Sequence, residues 1–211
     1  MAFHVKLGRR PAKREPLRSF TIFCEGENTE PAYFRALEQK YKRQALIALE
    51  IVPVGVPMTI ARQASARMKQ RRGNSFEEKD QVWAVFDRDE HPHHEAAVRM
   101  CEQNRVGVAR SNPCFEVWLI LHENDYDRSD HRKAVQRHLK TLRPEYDPDN
   151  GKSCDCHDLV SRVEEAEARA ARQLALRDRE GVPFGPPSTT VGHLTAAIRM
   201  AAQAAGRPSQ R

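Results

Sequence analysis

Short apolar segments alternate with helical patterns from residue 18 to about residue 122, and this order narrows the folds open to the chain. Strands that are separated by helices pair in parallel, with the helices packed on the faces of the sheet. The sequence therefore predicts an α/β domain with a mostly parallel sheet. Strands are predicted at about 18–25, 46–54, 81–86 and 105–110, and helices at about 30–43, 58–72, 93–104 and 114–122.

The pattern changes beyond residue 125. Helices are predicted there at about 130–141, 157–178 and 190–204, with the Pro- and Gly-rich loop GVPFGPPSTT before the last of them. A chain of 211 residues is long enough for one domain with a substantial core. We expect a basic flexible arm at 1–17, an α/β core at 18–125 and a helical extension at 126–211 that packs on the core.

The charge balance of the chain favours an anionic partner. The formal net charge is +6 at pH 7, and the pI is about 9.2. Nucleic acid, either DNA or RNA, is the commonest partner of basic proteins. The first 19 residues carry six lysines and arginines against a single acid, Glu15. This arm either contacts the partner or is a solvated tail.

Cysteine usage and hydropathy indicate a cytoplasmic protein that has no membrane partner. The five cysteines are odd in number and irregular in spacing, so we expect a reducing compartment and no disulfides. No apolar run approaches the ~18 residues that a membrane span needs. The first residues show no apolar signal segment either.

Acidic residues stand where the first and third predicted strands end. Glu25 follows the apolar run that ends at Cys24, and Asp87 and Asp89 follow the third strand two positions apart. Ligands of open α/β sheets bind at the carboxyl ends of strands. If these two strands are neighbours, the three carboxylates lie together, and a hard cation such as Mg²⁺ stabilises such a group. We therefore predict a metal site, with Gly26 allowing a tight turn beside it.

Other interpretations of these acids are open. The stretch DRDE can be a solvated turn, and Glu25 can be an acid that caps the next helix. VFDRDE also resembles the DxDx segment of haloacid-dehalogenase-type phosphatases, in which the first Asp is the nucleophile and the second is the acid. In those enzymes the motif follows the first strand, whereas here it follows the third, and His91 stands where Thr or Val is usual.

Three segments, FCEGENTEPAYF, VFDRDEH and SNPCFEVWLILH, resemble the RloB-like proteins, also called AbiLii-type. These are bacterial defence proteins built on a Toprim domain. The resemblance covers roughly residues 18 to 160, and the third segment is its most specific part. It implies a Toprim-like core and a nuclease that cleaves DNA or RNA, such as tRNA, with Mg²⁺ or Mn²⁺.

The resemblance also implies roles for individual residues and a partner. Glu25, Asp87 and Asp89 correspond to the metal site, in which Glu25 is either a ligand or the catalytic base that orients the water. Glu30 matches the second acid of the EGxxTE motif and is a further catalytic candidate. A lysine often completes such sites, and Lys152 is the candidate here. The nuclease-like subunit of this family tends to be encoded beside an ATPase, and this chain has no GxxxxGK[ST] motif. A non-catalytic subunit that binds nucleic acid or the ATPase is the alternative.

Glu116 interrupts an otherwise apolar segment, residues 114–121. A buried carboxylate needs a hydrogen-bonding partner, a proton or a metal. Two roles are open for it. It can cap the backbone N–H groups of the helix that begins here. It can also be a catalytic-site residue that holds a metal-bound water or a site lysine.

Two clusters outside these motifs have further interpretations. Cys154, Cys156 and His157 are ligand types that suit zinc, but their spacing is not that of a zinc finger, and the second half would have to come from HPHH at 91–94. A basic stripe at the end of the second helix is either a solvated face or a track for backbone phosphates. The stripe consists of Arg67, Lys69, Arg71 and Arg72.

Overall fold

A computed structural model describes residues 17–26, 28–51, 56–70, 80–88, 93–149 and 154–206. All but the last residue of the predicted basic arm lies outside these ranges. So do four of the predicted site residues, namely Arg71, Arg72, Asp89 and Lys152.

The described residues form one five-stranded sheet. The order across the sheet is β2-β1-β3-β4-β5, in which the first four strands are parallel and β5 pairs antiparallel with β4. The strands are β1 Arg18–Cys24, β2 Ala45–Ile51, β3 Gln81–Asp87, β4 Gly107–Asn112 and β5 Ser188–Thr189.

Helices follow the strands and cover both faces of the sheet. Those in the first part of the chain are α1 Thr29–Tyr41, α2 Pro57–Lys69, α3 His94–Gln103 and α4 Glu116–Glu123. Those in the second part are α5 Arg132–Leu142, a 3-10 turn Leu159–Arg162, α6 Val163–Arg179 and α7 Val191–Gly206. Within the described part of the chain, no helix combines the length and the apolar character that a membrane crossing requires.

The two faces of the sheet build two hydrophobic clusters of different size. Alternate residues of β1 (Phe20, Ile22 and Cys24) point into the larger cluster, which is closed by α1, α4, α5, α6 and α7. Phe23 of β1 and Phe86 of β3 point into the smaller cluster under α2 and α3. The large face therefore carries most of the aromatic core, and the small face is built mainly from alanines and other small side chains.

The α/β architecture predicted from the sequence is confirmed. Each predicted strand and helix is present, with ends shifted by a few residues, and β1 and β3 are parallel neighbours as the metal-site prediction requires. The part beyond residue 125 packs on the sheet and shares the larger cluster with it. That part also contributes an edge strand, β5, where the sequence predicted only a Pro- and Gly-rich loop.

Candidate functional site

The carboxyl ends of β1 and β3 lie side by side at the same end of the sheet. Cys24 is paired with Val85 in the parallel register, so Glu25 and Asp87 follow at the same edge. This is the position at which open parallel sheets bind their ligands. The structure thus places two of the three predicted metal ligands at the ends of adjacent strands, and the third, Asp89, lies outside the described residues.

The carboxylate of Glu30 lies against Gly26. A Cβ atom at residue 26 would lie 1.9 Å from Oε2 of Glu30, so a side chain there would displace this carboxylate. The backbone of Gly26 is not in the left-handed region, so the predicted tight turn does not require glycine for its φ angle. Glu30 lies in the first turn of α1 and is almost fully buried. Burial, and then the charge of Glu30, raise the pKa of the Cys24 thiol to about 12.

Asp87 forms an ion pair with Arg132, the first residue of α5. Nη2 of Arg132 lies 2.5 Å from Oδ2 of Asp87, and the two side chains are 31% and 12% exposed. A charge-assisted hydrogen bond of this length in a partly dry site is one of the stronger polar contacts in proteins. Arg132 was not predictable from the sequence, because the stretch SDHRK carries no motif and the contact spans 45 positions.

Glu116 is buried and accepts hydrogen bonds from two elements that follow it in the chain. Its Oε1 accepts from the hydroxyl of Tyr146 at 2.6 Å and from Nε2 of Gln136 at 3.2 Å. Burial, then the negative charge of Glu116 and the hydrogen bond to it, raise the pKa of Tyr146. Burial, then the charges of Glu116 and Asp87, raise the pKa of Cys114, which indicates that the two acids flank one thiol.

These contacts connect Glu116 to the Asp87–Arg132 pair through one helix. Arg132 and Gln136 are four residues apart on α5 and therefore lie on the same helix face. Gln136 bonds Glu116, and Arg132 bonds Asp87. Glu116 thus holds α5 in the position that sets Arg132 against Asp87. It begins α4, so it also stands in the first helical turn, where a negative charge is favourable.

Basic side chains gather at the same carboxyl end of the strands but on the opposite face of the sheet. Arg88 follows β3 directly, and Arg110 belongs to β4. The guanidinium of Arg110 stacks on the ring of Phe184 at 3.9 Å, and Nη1 of Arg88 donates to the carbonyl of Phe184 at 3.4 Å. His94, the first residue of α3, is 4% exposed and packs edge-on against Phe86.

The basic stripe lies at the opposite end of the sheet, near the amino ends of the strands. Arg67 and Lys69 are exposed in the last turn of α2. α2 starts beyond the carboxyl end of β2 and runs back to the start of β3, so its last turn is near the amino ends of the strands. A role of these residues in nucleic-acid binding stays a prediction, and the fold separates them from the strand-end acids.

Within the described ranges, no three His, Cys, Asp or Glu side chains are grouped in a way that could hold a metal ion. Cys154 and Cys156 are buried while His157 is exposed, so these three residues do not form a zinc site together. The predicted Mg²⁺ site depends on Asp89 as its third carboxylate, and Asp89 lies outside the described residues, so the site stays a prediction. Glu25 and Asp87 supply carboxylate oxygens, the donor type that Mg²⁺ prefers.

A cavity of about 230 Å³ lies between α6 and the segment that follows α4. Tyr126, Gln173 and Arg169 are among the residues that line it. Of the predicted site residues that the structure describes, none lines this cavity. The strand-end acids are therefore not part of it.

Comparison with known proteins gives one match. The model of the RloB-like protein family matches residues 20–198, which is most of the chain. No curated protein and no solved structure matches it. The match includes the strand-end acids, Glu116 and the helices that complete the large face of the sheet. The chain is therefore a member of the RloB-like protein family.

Proposed function

We propose that this protein is a metal-dependent nuclease that hydrolyses phosphodiester bonds of DNA or RNA, with tRNA as one candidate substrate. The observation that carries the proposal is the pair of carboxylates, Glu25 and Asp87, at the ends of two adjacent parallel strands. Membership of the RloB-like family and the net charge of +6 support it. The protein would act in the cytoplasm of a bacterium, in defence against phage or in abortive infection.

Mg²⁺ or Mn²⁺ fits the donors at this edge of the sheet. Glu25, Asp87 and Asp89 would hold the ion through carboxylate oxygens. When bound, the ion would supply an acidified water and would neutralise charge on the scissile phosphate. One oxygen of Asp87 is engaged by Arg132, so the site keeps a positive group beside its acid.

The protein's own residues would position the phosphate and its surroundings. Arg132 fixes the rotamer of Asp87 and places a positive charge beside the strand-end acids. Glu116 acts indirectly: its hydrogen bonds to Gln136 and Tyr146 keep α5, and with it Arg132, in place. Glu30 packs against Gly26 and adds negative charge near the end of β1. Lys152 remains a candidate for stabilising the leaving oxygen.

An ATPase encoded nearby is the proposed partner. The chain has no GxxxxGK[ST] motif, so nucleotide-driven control would have to come from another protein. A nuclease that can damage its own host needs such control. We expect the isolated chain to be a weak nuclease and the complex with the ATPase to be active when it is triggered.

A cleavage assay tests the proposal. The purified chain, with and without the ATPase, is incubated with mixed DNA and RNA in Mg²⁺, in Mn²⁺ and in EDTA. Cleavage that requires the metal and increases with the ATPase supports the nuclease. Metal binding without cleavage under all of these conditions would assign a non-catalytic role. A phosphoryl group trapped on Asp87 would assign a haloacid-dehalogenase-type phosphatase instead.

A further inference from the structure

We propose that Arg88, Arg110 and His94 form a subsite for a backbone phosphate of the nucleic acid, on the sheet face opposite to the Asp87–Arg132 pair. The inference rests on the proposed function, because it assigns a substrate-binding role beside the same strand ends. This subsite differs from the predicted basic stripe, which lies near the amino ends of the strands.

Successive residues of β3 point to opposite faces of the sheet, and this alternation separates the arginine cluster from the Asp87–Arg132 pair. Asp87 pairs with Ser111 in the register and contacts α5 on the large face. Phe86 pairs with Arg110 and lies in the small cluster under α2 and α3. Arg88 continues β3 by one residue, and its N–H donates to the carbonyl of Ser111 at 2.7 Å. Arg88 and Arg110 therefore lie on the same face of the sheet, opposite to Arg132.

The two arginines are held in place before any ligand binds. The ring of Phe184 lies under the guanidinium of Arg110, and the carbonyl of Phe184 accepts from Arg88. Asn112 fixes the same carbonyl with a hydrogen bond of 2.8 Å from Nδ2. Phe184 has a φ of 60°, which is uncommon for an aromatic residue and indicates that its position is imposed by its surroundings. Preorganised guanidinium groups suit the planar, bidentate recognition of phosphate.

The acids that face the arginine pair are exposed to solvent. Oε1 of Glu95, whose side chain is 58% exposed, lies 3.8 Å from Nη1 of Arg110, and the exposed Glu102 also favours the charged form of Arg110. After burial, which is the main cause, the positive charges of Arg110 and Arg88 contribute to lowering the pKa of His94. Burial, and to a smaller extent the charge of Arg88, lower the pKa of Arg110, so the two guanidinium groups repel each other and an added anion between them would relieve that repulsion. A phosphate is the anion that the proposed substrate supplies.

His94 adds a second, independent observation. Its Nδ1 lies 3.4 Å from Oε1 of Glu95, whereas its buried Nε2 has no hydrogen-bond partner among the residues that the structure describes. Buried ring nitrogens are nearly always bonded. His94 also begins a ten-residue helix, whose first N–H groups favour an anion. Oε1 of Glu95 lies 3.4 Å from Nδ1 of His94 and 3.8 Å from Nη1 of Arg110, so the start of α3 stands directly beside the arginine pair.

The position relative to Asp87 favours a polymer as the ligand. Arg88 and Asp87 are consecutive in the chain and lie on opposite sides of one sheet edge. A nucleic-acid strand that crosses this edge would present one phosphate to the acids and a neighbouring phosphate to the arginines. Contacts of this kind fix the register of the substrate without reading its bases.

Binding in the absence of metal tests the subsite separately from catalysis. Labelled single-stranded DNA and RNA of about 20 nucleotides, longer than the ~4–16 nucleotides bound by common single-strand folds, are titrated with the full chain in EDTA. The test variant is Arg88→Gln with Arg110→Gln. The matched control is Arg172→Gln with Arg179→Gln, which removes the same charge from α6.

We expect the test variant to bind at least about tenfold more weakly, with a salt slope that is smaller by about one to two units. The control should change affinity by less than about twofold, as loss of net charge alone would. Arg110→Lys should fall between wild type and the test variant, because it keeps the charge and loses the planar stack. Melting curves verify that each variant is folded, and Arg88→Gln alone is the readout if the double variant is not.

Equal affinities of the test and control variants would overturn the subsite. Wild-type binding too weak to detect in EDTA would overturn it as well, and the metal-dependent cleavage assay would still decide the nuclease proposal. A chain that binds through these arginines and never cleaves, even with the ATPase, would overturn the nuclease proposal alone.

Discussion

Each face of the sheet buries a histidine, and the two histidines differ in the hydrogen bonding of their ring nitrogens. On the large face, Nδ1 of His122 lies 2.9 Å from the carbonyl of Trp118, and Nε2 lies 3.1 Å from the hydroxyl of Tyr33. Both ring nitrogens are satisfied if Nδ1 donates and Nε2 accepts. On the small face, one nitrogen of His94 faces Glu95, and the other has no partner among the described residues.

The contrast extends to the charged groups at the sheet edge. On the large face, Asp87 is paired with Arg132, and Glu116 accepts two hydrogen bonds in a buried network. On the small face, Arg88 and Arg110 are held by one phenylalanine with an exposed acid nearby. Polar groups that are satisfied internally contribute to stability and position. The arginines of the small face are held by Phe184 and face acids that are exposed to solvent, so a ligand can compete for them. This contrast agrees with our proposals that the acids of the large face act in catalysis and that the arginines of the small face bind substrate.

The largest expected effect comes from Asp87→Asn. Cleavage should fall by about 100-fold or more, since removing one charge-stabilising group from a catalytic site typically has an effect of this size. The fold should survive, because an amide oxygen can still accept from Arg132. Affinity for nucleic acid in EDTA should change by less than about threefold, since the phosphate contacts lie on the other face. Single-turnover cleavage and anisotropy titrations measure the two effects.

Metal binding provides the control for this variant. Mg²⁺ or Mn²⁺ should raise the melting temperature of the wild type by linkage and should barely change that of Asp87→Asn. Asp125→Asn, an exposed acid on the segment after α4, should respond as the wild type does. The separation of the two faces fails if Asp87→Asn lowers affinity as much as the double arginine variant does.

Glu116→Ala should destabilise the fold by about 3 kcal/mol, because it leaves two buried donors without an acceptor. Tyr146→Phe removes one of those donors together with its need for a partner, so we expect a loss of roughly 1 kcal/mol. Glu95→Ala is the matched variant on the small face and should change stability by less than about 0.5 kcal/mol. Urea unfolding at neutral pH measures all three. A loss for Glu116→Ala no larger than that for Glu95→Ala would show that the buried network does not stabilise the large face.

The pH dependence of stability should reveal the histidine of the large face. Burial lowers the pKa of His122 to about 3, below the value of ~6.5 expected in the unfolded chain. Below pH 6.5 the unfolded chain therefore binds a proton that the folded chain does not bind until about pH 3. The contribution of His122 to the free energy of unfolding should be constant above about pH 7.5 and should fall by up to about 1.4 kcal/mol per pH unit between about pH 6.5 and pH 3.

Comparison with His122→Asn isolates this contribution. Between pH 7.5 and pH 5.5 the wild type should lose about 1 kcal/mol more than the variant. His94 has a lowered pKa of the same sign and is present in both proteins, so its effect cancels. Parallel curves for the two proteins would mean that His122 is not buried in its neutral form.

The sequence predicted what depends on local pattern. Alternation and apolar runs located β1 to β4, and the acids at strand ends marked the candidate site because strand polarity alone determines where those ends meet. β5 was missed because two residues are too few to show a period. The acid within an apolar run at Glu116 was a valid signal of a buried polar group. Its partners were not predictable, since they lie 20 and 30 positions away and are set by tertiary packing.

The smallest effect is expected from the basic stripe. α2 has 13 residues and is therefore roughly 20 Å long, so Arg67 and Lys69 lie about that far from the strand-end acids. This distance is about two Debye lengths at 0.1 M salt, where exposed charges interact little. Arg67→Gln with Lys69→Gln should therefore lower affinity by less than about threefold, and its salt slope should change less than that of the variant that lacks Arg88 and Arg110. Anisotropy titrations at several salt concentrations compare the two variants directly. An equal or larger loss for the stripe would mean that the nucleic acid runs along α2, and the small face would then bind substrate over its whole length and not at its carboxyl edge.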